Sequence, residues 1–178
     1  MPTEIERRFF VKGTDWKSQA VFRREIAQGY FSKANGYTLR VRIADNAPLG
    51  DKPPLAEIGL PIGKEARLTI KGRREVHAAM CPEFDYGIPV SDAEEMMRLF
   101  CSERHVEKVR YLVPASTGRF WEVDEFLGRH TGLVIAELEL SSLWEAFEKP
   151  EWLGMEITGH REFSNASLAA SAGIPTLL

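Results

Sequence analysis

Two cysteines in 178 residues, Cys81 and Cys101, are too few for a disulfide framework and form neither a CxxC pair nor a zinc pattern. Their expected role is as small packed side chains in a reduced, cytoplasmic setting. No apolar run reaches the ~18 residues that a membrane-crossing helix needs, and charge begins at Glu4, where a secretory leader needs an apolar stretch. The net charge of -3 supplies no field favouring nucleic acid or anionic lipid, so neither a nucleic acid nor a membrane is an expected partner. GxxxxGK[ST], GxGxxG and GxSxG are all missing, so Lys71-Gly72 is no P-loop and no serine elbow stands out. His77, His105, His130 and His160 lack the spacing of a metal site. What is present is the apolar and aromatic content of one folded domain spanning residues 1–178.

Alternating segments at 3–11, 27–33, 37–44, 66–72, 82–89, 105–113, 118–126 and 132–141 predict eight strands. Helices are expected at 14–26, after a Thr14/Asp15 cap signal, and at 91–102, where Ser91 and Glu94 have capping-box spacing. Shorter ones are expected near 142–148 and 162–172. Prolines and glycines interrupt 45–65, which reads as an irregular insertion, either a gate over a mouth or surface loop.

Charge is written along the strands in i, i+2 pairs, which a pleated strand points to one side. Glu4, Glu6 and Arg8 open the series. Arg40 and Arg42, Glu83 and Asp85, Lys108 and Arg110, Glu122 and Asp124, and Glu137 and Glu139 continue it, with Lys71 beside Thr69. One such pair is a solvated sheet face; the repetition suits a closed eight-stranded barrel with a charged lining. Periodicity leaves open which side is wet. In a lining, Arg8, Arg40, Arg42, Lys71, Lys108 and Arg110 suit phosphate oxygens. Glu4, Glu6, Glu122, Asp124, Glu137 and Glu139 are hard donors for Mg²⁺ or Mn²⁺.

The ordered motifs EIERR, QGY, RVR, LTIKG, EKVRY, WEVDEF and AELEL resemble the CYTH superfamily of triphosphate tunnel metalloenzymes, whose signature is an N-terminal ExExK. The resemblance runs from Thr3 to about Leu168. It implies an α+β fold, an eight-stranded antiparallel β-barrel with flanking helices, whose tunnel binds a triphosphate-containing small molecule with Mg²⁺ or Mn²⁺. By position, Arg8, Arg40, Arg42, Lys71, Lys108 and Arg110 would bind substrate, and Glu4, Glu6, Asp124, Glu137 and Glu139 would bind metal. Tyr30, Arg8, Glu4 and Glu6 are the catalytic candidates, and Glu83 falls on a further tunnel position. Arg8 stands where the family usually has Lys and cannot accept a proton; Cys81 stands where it often has Arg. The expected activity is hydrolysis of an inorganic or organic triphosphate, tripolyphosphate foremost, by a monomer or homodimer. Cyclisation of ATP and triphosphate binding without turnover are the alternatives.

Overall fold

A computed structural model describes residues 5–31, 37–50, 61–72, 83–116, 118–142 and 144–177. Glu4, His77, Cys81 and residues 51–60 of the Pro/Gly-rich stretch lie outside them. The strands are β1 (Ile5–Val11), β2 (Phe22–Tyr30), β3 (Thr38–Pro48), β4 (Gly63–Lys71), β5 (Glu83–Ile88), β6 (His105–Pro114), β7 (Phe120–Phe126), β8 (Val134–Leu140) and β9 (Leu153–Glu156). All nine join in one antiparallel sheet in the order β5-β4-β3-β2-β6-β7-β8-β1-β9. Two helices, α1 (Val90–Phe100) and α2 (Asn165–Ala170), flank it. The α+β class and the antiparallel sheet stand as expected, with a ninth strand added. Among the described residues the ladder runs open from β5 to β9.

Several local expectations are corrected. Only Asp15–Gln19 coils within 14–26, as a 3-10 turn, and Thr14 makes no side-chain cap. The rest is the start of β2, where Phe22 and Ile26 are buried and Arg23 and Glu25 are exposed on the other side, a period of two written largely in charged letters. The irregular stretch is shorter than 45–65, because β3 continues through Pro48 and β4 begins at Gly63. Pro89 occupies the cap position of α1, and the Ser91 hydroxyl donates to Asp92 instead of capping. Residues 144–150 carry no helix. The expected 162–172 helix is a 3-10 turn at Arg161–Phe163 followed by the short α2.

The two faces of the sheet have opposite chemistry. On one, Phe9, Val113, Trp121, Val123, Ala136, Leu138 and Leu140 pack with Trp16, Trp152 and Leu153. Further along that face, Val41 and Ala66 pack under Ala93 of α1 and Cys101. Burial pushes the Cys101 thiol up to about 11, which suits a packing residue. On the other face a smaller cluster, Tyr30, Val106, Phe126 and Ile135, is capped by Ile157, Phe163, Leu168 and Ala169, so the C-terminal segment plugs one end. Helix α1 can sit close because Gly29 of β2 has no side chain; a Cβ there would overlap Cys101 and Met97. Gly29→Ala should therefore cost about 1–3 kcal/mol by overpacking. Urea unfolding checks this, and an unchanged midpoint would show that the helix seat yields.

Candidate functional site

Antiparallel register assembles the ionic face. Arg8 lies opposite Glu137 and Glu6 opposite Glu139 across β1 and β8; Glu137 in turn lies opposite Glu122 on β7. Asp124 lies opposite Arg110 on β6, Arg110 opposite Arg24 on β2, and Arg24 opposite Asn46 on β3. Tyr30 lies opposite Arg40, Gln28 opposite Arg42, and those arginines opposite Thr69 and Arg67 on β4, with Asp85 and Glu83 beyond on β5. Since side chains alternate, all of these share one side. That side is concave, because Arg110 on β6 reaches past β7 to donate to Glu137 on β8 at 3.1 Å. Glu137 acts on the charge state of Tyr30 on β2, although on a flat sheet the register would hold the two roughly 30 Å apart.

On one half of the face carboxylates and cations pair with one another. Asp124, 1% exposed, accepts from Arg110 at 2.6 and 2.7 Å and from Lys108, also 1% exposed, at 2.5 Å. Burial would raise the Asp124 pKa, but Arg110 and Lys108 outweigh it and hold the carboxyl well below the usual range. Burial pushes Lys108 down to about 8 against the pull of Asp124. For Arg110 burial is outdone by Asp124 and Glu122, and its pKa lies well above the ordinary value. Arg110 also bonds Glu122, and Arg8 donates to Glu137 at 2.8 Å. The plug fixes two of these cations from below: Arg8 donates to the Phe163 carbonyl at 2.9 Å and Lys108 to the Asn165 side chain at 3.0 Å.

The other half carries unbalanced positive charge. Arg42 donates to Gln28 at 3.0 Å and Arg40 to Thr69 at 2.8 Å, both neutral groups. Burial, with Arg40, Arg110 and Arg24 nearby, pushes Arg42 down to about 10. The buried Nε of Arg40 has no hydrogen-bond partner. The Tyr30 hydroxyl accepts from Gln28 at 2.9 Å, and its pKa is raised by burial against the opposing pull of Arg40 and Arg42. Lys71 sits at the edge, half exposed, 3.0 Å from Glu83.

Of the residues expected from sequence, Arg8, Lys108, Arg110, Asp124 and Glu137 are thus directly connected, whereas Arg40, Arg42 and Tyr30 form a separate cationic group and Lys71 stands apart. Sequence reasoning missed Arg24, placed in a supposed helix, Glu65, placed in the insertion, and Arg67, which shares the i, i+2 pattern of Thr69 and Lys71. Arg24 bonds Glu65, and Arg67 donates to Asp85 at 2.6 Å.

The carboxylates fit a hard divalent cation in donor chemistry. Glu6 faces Glu139 across β1 and β8, a pair of hard oxygen donors on neighbouring strands, whereas Glu122 and Glu137 already share the Arg110 guanidinium. Among the described residues no three acidic or imidazole groups converge into a ready cluster, and Asp124 is engaged by its two cations.

The fold and this face define a class of protein built on an antiparallel sheet with a charged concave surface. A family model for the CYTH domain matches residues 2–169, and the chain belongs to that family. It is 36% identical over 171 residues to a protein named inorganic triphosphatase from Acetivibrio thermocellus, covering 94% of each chain. It is 28% identical over 172 residues to an inorganic triphosphatase of Nitrosomonas europaea, covering 95% of this chain and 98% of the other. A solved structure of the inorganic triphosphatase NE1496 superposes with a TM-score of 0.67 at 27% identity, covering 96% of this chain and 97% of that one. Among the described residues no helix is long and apolar enough to cross a membrane.

Removing Asp124 leaves buried Lys108 without its carboxylate and takes one of three from Arg110, so Asp124→Asn should lose about 3–5 kcal/mol at neutral pH. Because the folded pKa is depressed, this stabilisation is fully present above the unfolded value near ~4 and is lost as pH falls through the folded one. The wild-type advantage, measured by denaturant titration, should therefore shrink below about pH 4; a constant gap down to pH 2 would contradict the assignment.

Proposed function

We propose that this chain hydrolyses the terminal phosphoanhydride of a triphosphate, with inorganic tripolyphosphate as the substrate the site favours. The observation that carries this reading is the pair Arg40 and Arg42, two guanidiniums on the concave face that donate to the neutral side chains of Thr69 and Gln28. Asp85, reached from Arg40 through Thr69, also serves Arg67, so this part-buried group of cations is short of counter-charge. A polyanion supplies it, and its oxygens match guanidinium forks. Membership of the CYTH family and relatives named inorganic triphosphatase support it.

In this reading Arg40, Arg42 and Lys71 hold the phosphates directly, and Arg110, Lys108 and Arg8, fixed by carboxylates and the plug, complete the positive field. Glu6 and Glu139, with Glu4 beside them in sequence and Glu137 near, would hold Mg²⁺ or Mn²⁺. When bound, such an ion neutralises phosphate charge and orients the attacking water. Tyr30, its pKa raised, is a neutral phenol at pH 7 and donates to a phosphate oxygen. Arg8, held by Glu137 and the Phe163 carbonyl, acts as fixed charge. The enzyme works in the cytoplasm as a monomer or homodimer.

Tripolyphosphate, ATP and thiamine triphosphate, each with Mg²⁺ or Mn²⁺, form the test panel. Orthophosphate release with the highest kcat/KM for tripolyphosphate is expected. Cyclic AMP plus pyrophosphate from ATP would move the protein to the cyclases, and tight binding without turnover would make it a binding module. Glu6→Gln should lower metal-dependent turnover by roughly 100-fold, the order expected when one transition-state contact is lost; full retention would remove Glu6 from the site.

A further inference from the structure

Arg24 and Glu65 form an ion pair on the concave face that the reading above does not use. Arg24 lies opposite Arg110 on one neighbouring strand and Asn46 on the other, away from the plugged end. It lies four residues from Gln28 along β2, which places it roughly 13 Å along the strand from the row containing Arg42. One of its five N–H donors goes to Glu65, and its buried Nε has no partner. Glu65, by contrast, has a second hold: the Asn46 amide, 1% exposed, donates to it at 3.2 Å. The carboxylate therefore keeps a partner when the guanidinium leaves.

We propose that Arg24 is a further anion-binding residue of this site and that Glu65 is its exchangeable counter-ion, displaced when a linear polyphosphate enters. The proposal rests on the triphosphate reading and deepens it. Arg40 and Arg42 grip one part of the chain, and Arg24, turning from Glu65, grips the far end. Entry of the substrate then exchanges one counter-ion for another, a guanidinium–carboxylate contact for a guanidinium–phosphate one, with Glu65 retained by Asn46. Burial lowers the Arg24 pKa and Arg110 lowers it further, while Glu65 and Glu122 oppose, so Arg24 sits among charges of both signs where one counter-ion can replace another. The site in consequence favours chains long enough to span from Arg42 to Arg24, tripolyphosphate and longer, over pyrophosphate.

The KM for tripolyphosphate in Arg24→Gln, Glu65→Gln and the double variant tests this. Arg24→Gln should raise KM about tenfold, the scale of one charge-assisted hydrogen bond. Glu65→Gln should lower it by about threefold or more, and the double variant should match Arg24→Gln alone. A pair that only braces the fold predicts that both single variants raise KM, and bulk charge predicts that Glu65→Gln lowers it equally in both backgrounds; either result overturns the proposal, as does no change in either single variant. If Arg24→Gln does not fold, Glu65→Gln decides alone: a lower KM supports the exchange and an unchanged or higher one refutes it. Wild-type protein that does not turn over tripolyphosphate would refute the parent reading, an outcome visible before any variant is made.

Discussion

A carboxylate buried between two cations, Asp124 between the buried Lys108 and the part-buried Arg110, is the interaction on which the rest of the concave face depends. None of the three would be tolerable there alone, because an unpaired ion away from water costs several kcal/mol. Together they fix the guanidinium of Arg110 in one plane, and from it Glu122 and Glu137 take their places, with Arg8 bound in turn to Glu137. The acidic wall is thus ordered around a cation belonging to the protein itself.

The consequence is an asymmetry across the bore. Glu122, Asp124 and Glu137 on β7 and β8 are engaged by Arg110, Lys108 and Arg8, with Glu6 and Glu139 in excess, while β3 presents Arg40 and Arg42 to neutral hydrogen-bond acceptors. A face with spare carboxylates on one side and cationic excess on the other is electrostatically incomplete, and the cationic side is completed by an anion with many oxygens. The apolar floor makes this discrimination sharper: Tyr30, Phe126 and Ile135, closed over by Phe163 and Leu168, keep water from one end and so leave the charges less screened than on an open sheet. Family membership and the resemblance to inorganic triphosphatases agree with the chemistry that the side chains require.

Most of the strands were legible because alternation survives in segments such as RVR and WEVDEF, where an apolar residue separates two charged ones. The start of β2 was not, since FRREI places charge on both faces: Arg24 points inward beside Arg110 while Arg23 and Glu25 point out. Strand β9 has four residues, LGME, too few to establish a period, and owes its existence to pairing with β1. The composition of the site was readable, but its internal pairing was not. Asp124 reads as a metal-ligand candidate from its place beside Glu122, and its contacts with Arg110 and Lys108 emerge only once β6 is set beside β7. Partner choice depends on which strands are neighbours, and a sheet order that jumps from β2 to β6 is not encoded in any local run.

The central claim is that the concave face receives a polyanion at its cationic side. A crystal structure of the protein with tripolyphosphate tests it most directly. The account predicts phosphate oxygens within about 3 Å of the Arg40 and Arg42 guanidiniums. Electron density for the anion only on the outer surface, with both arginines still on Gln28 and Thr69, would contradict it.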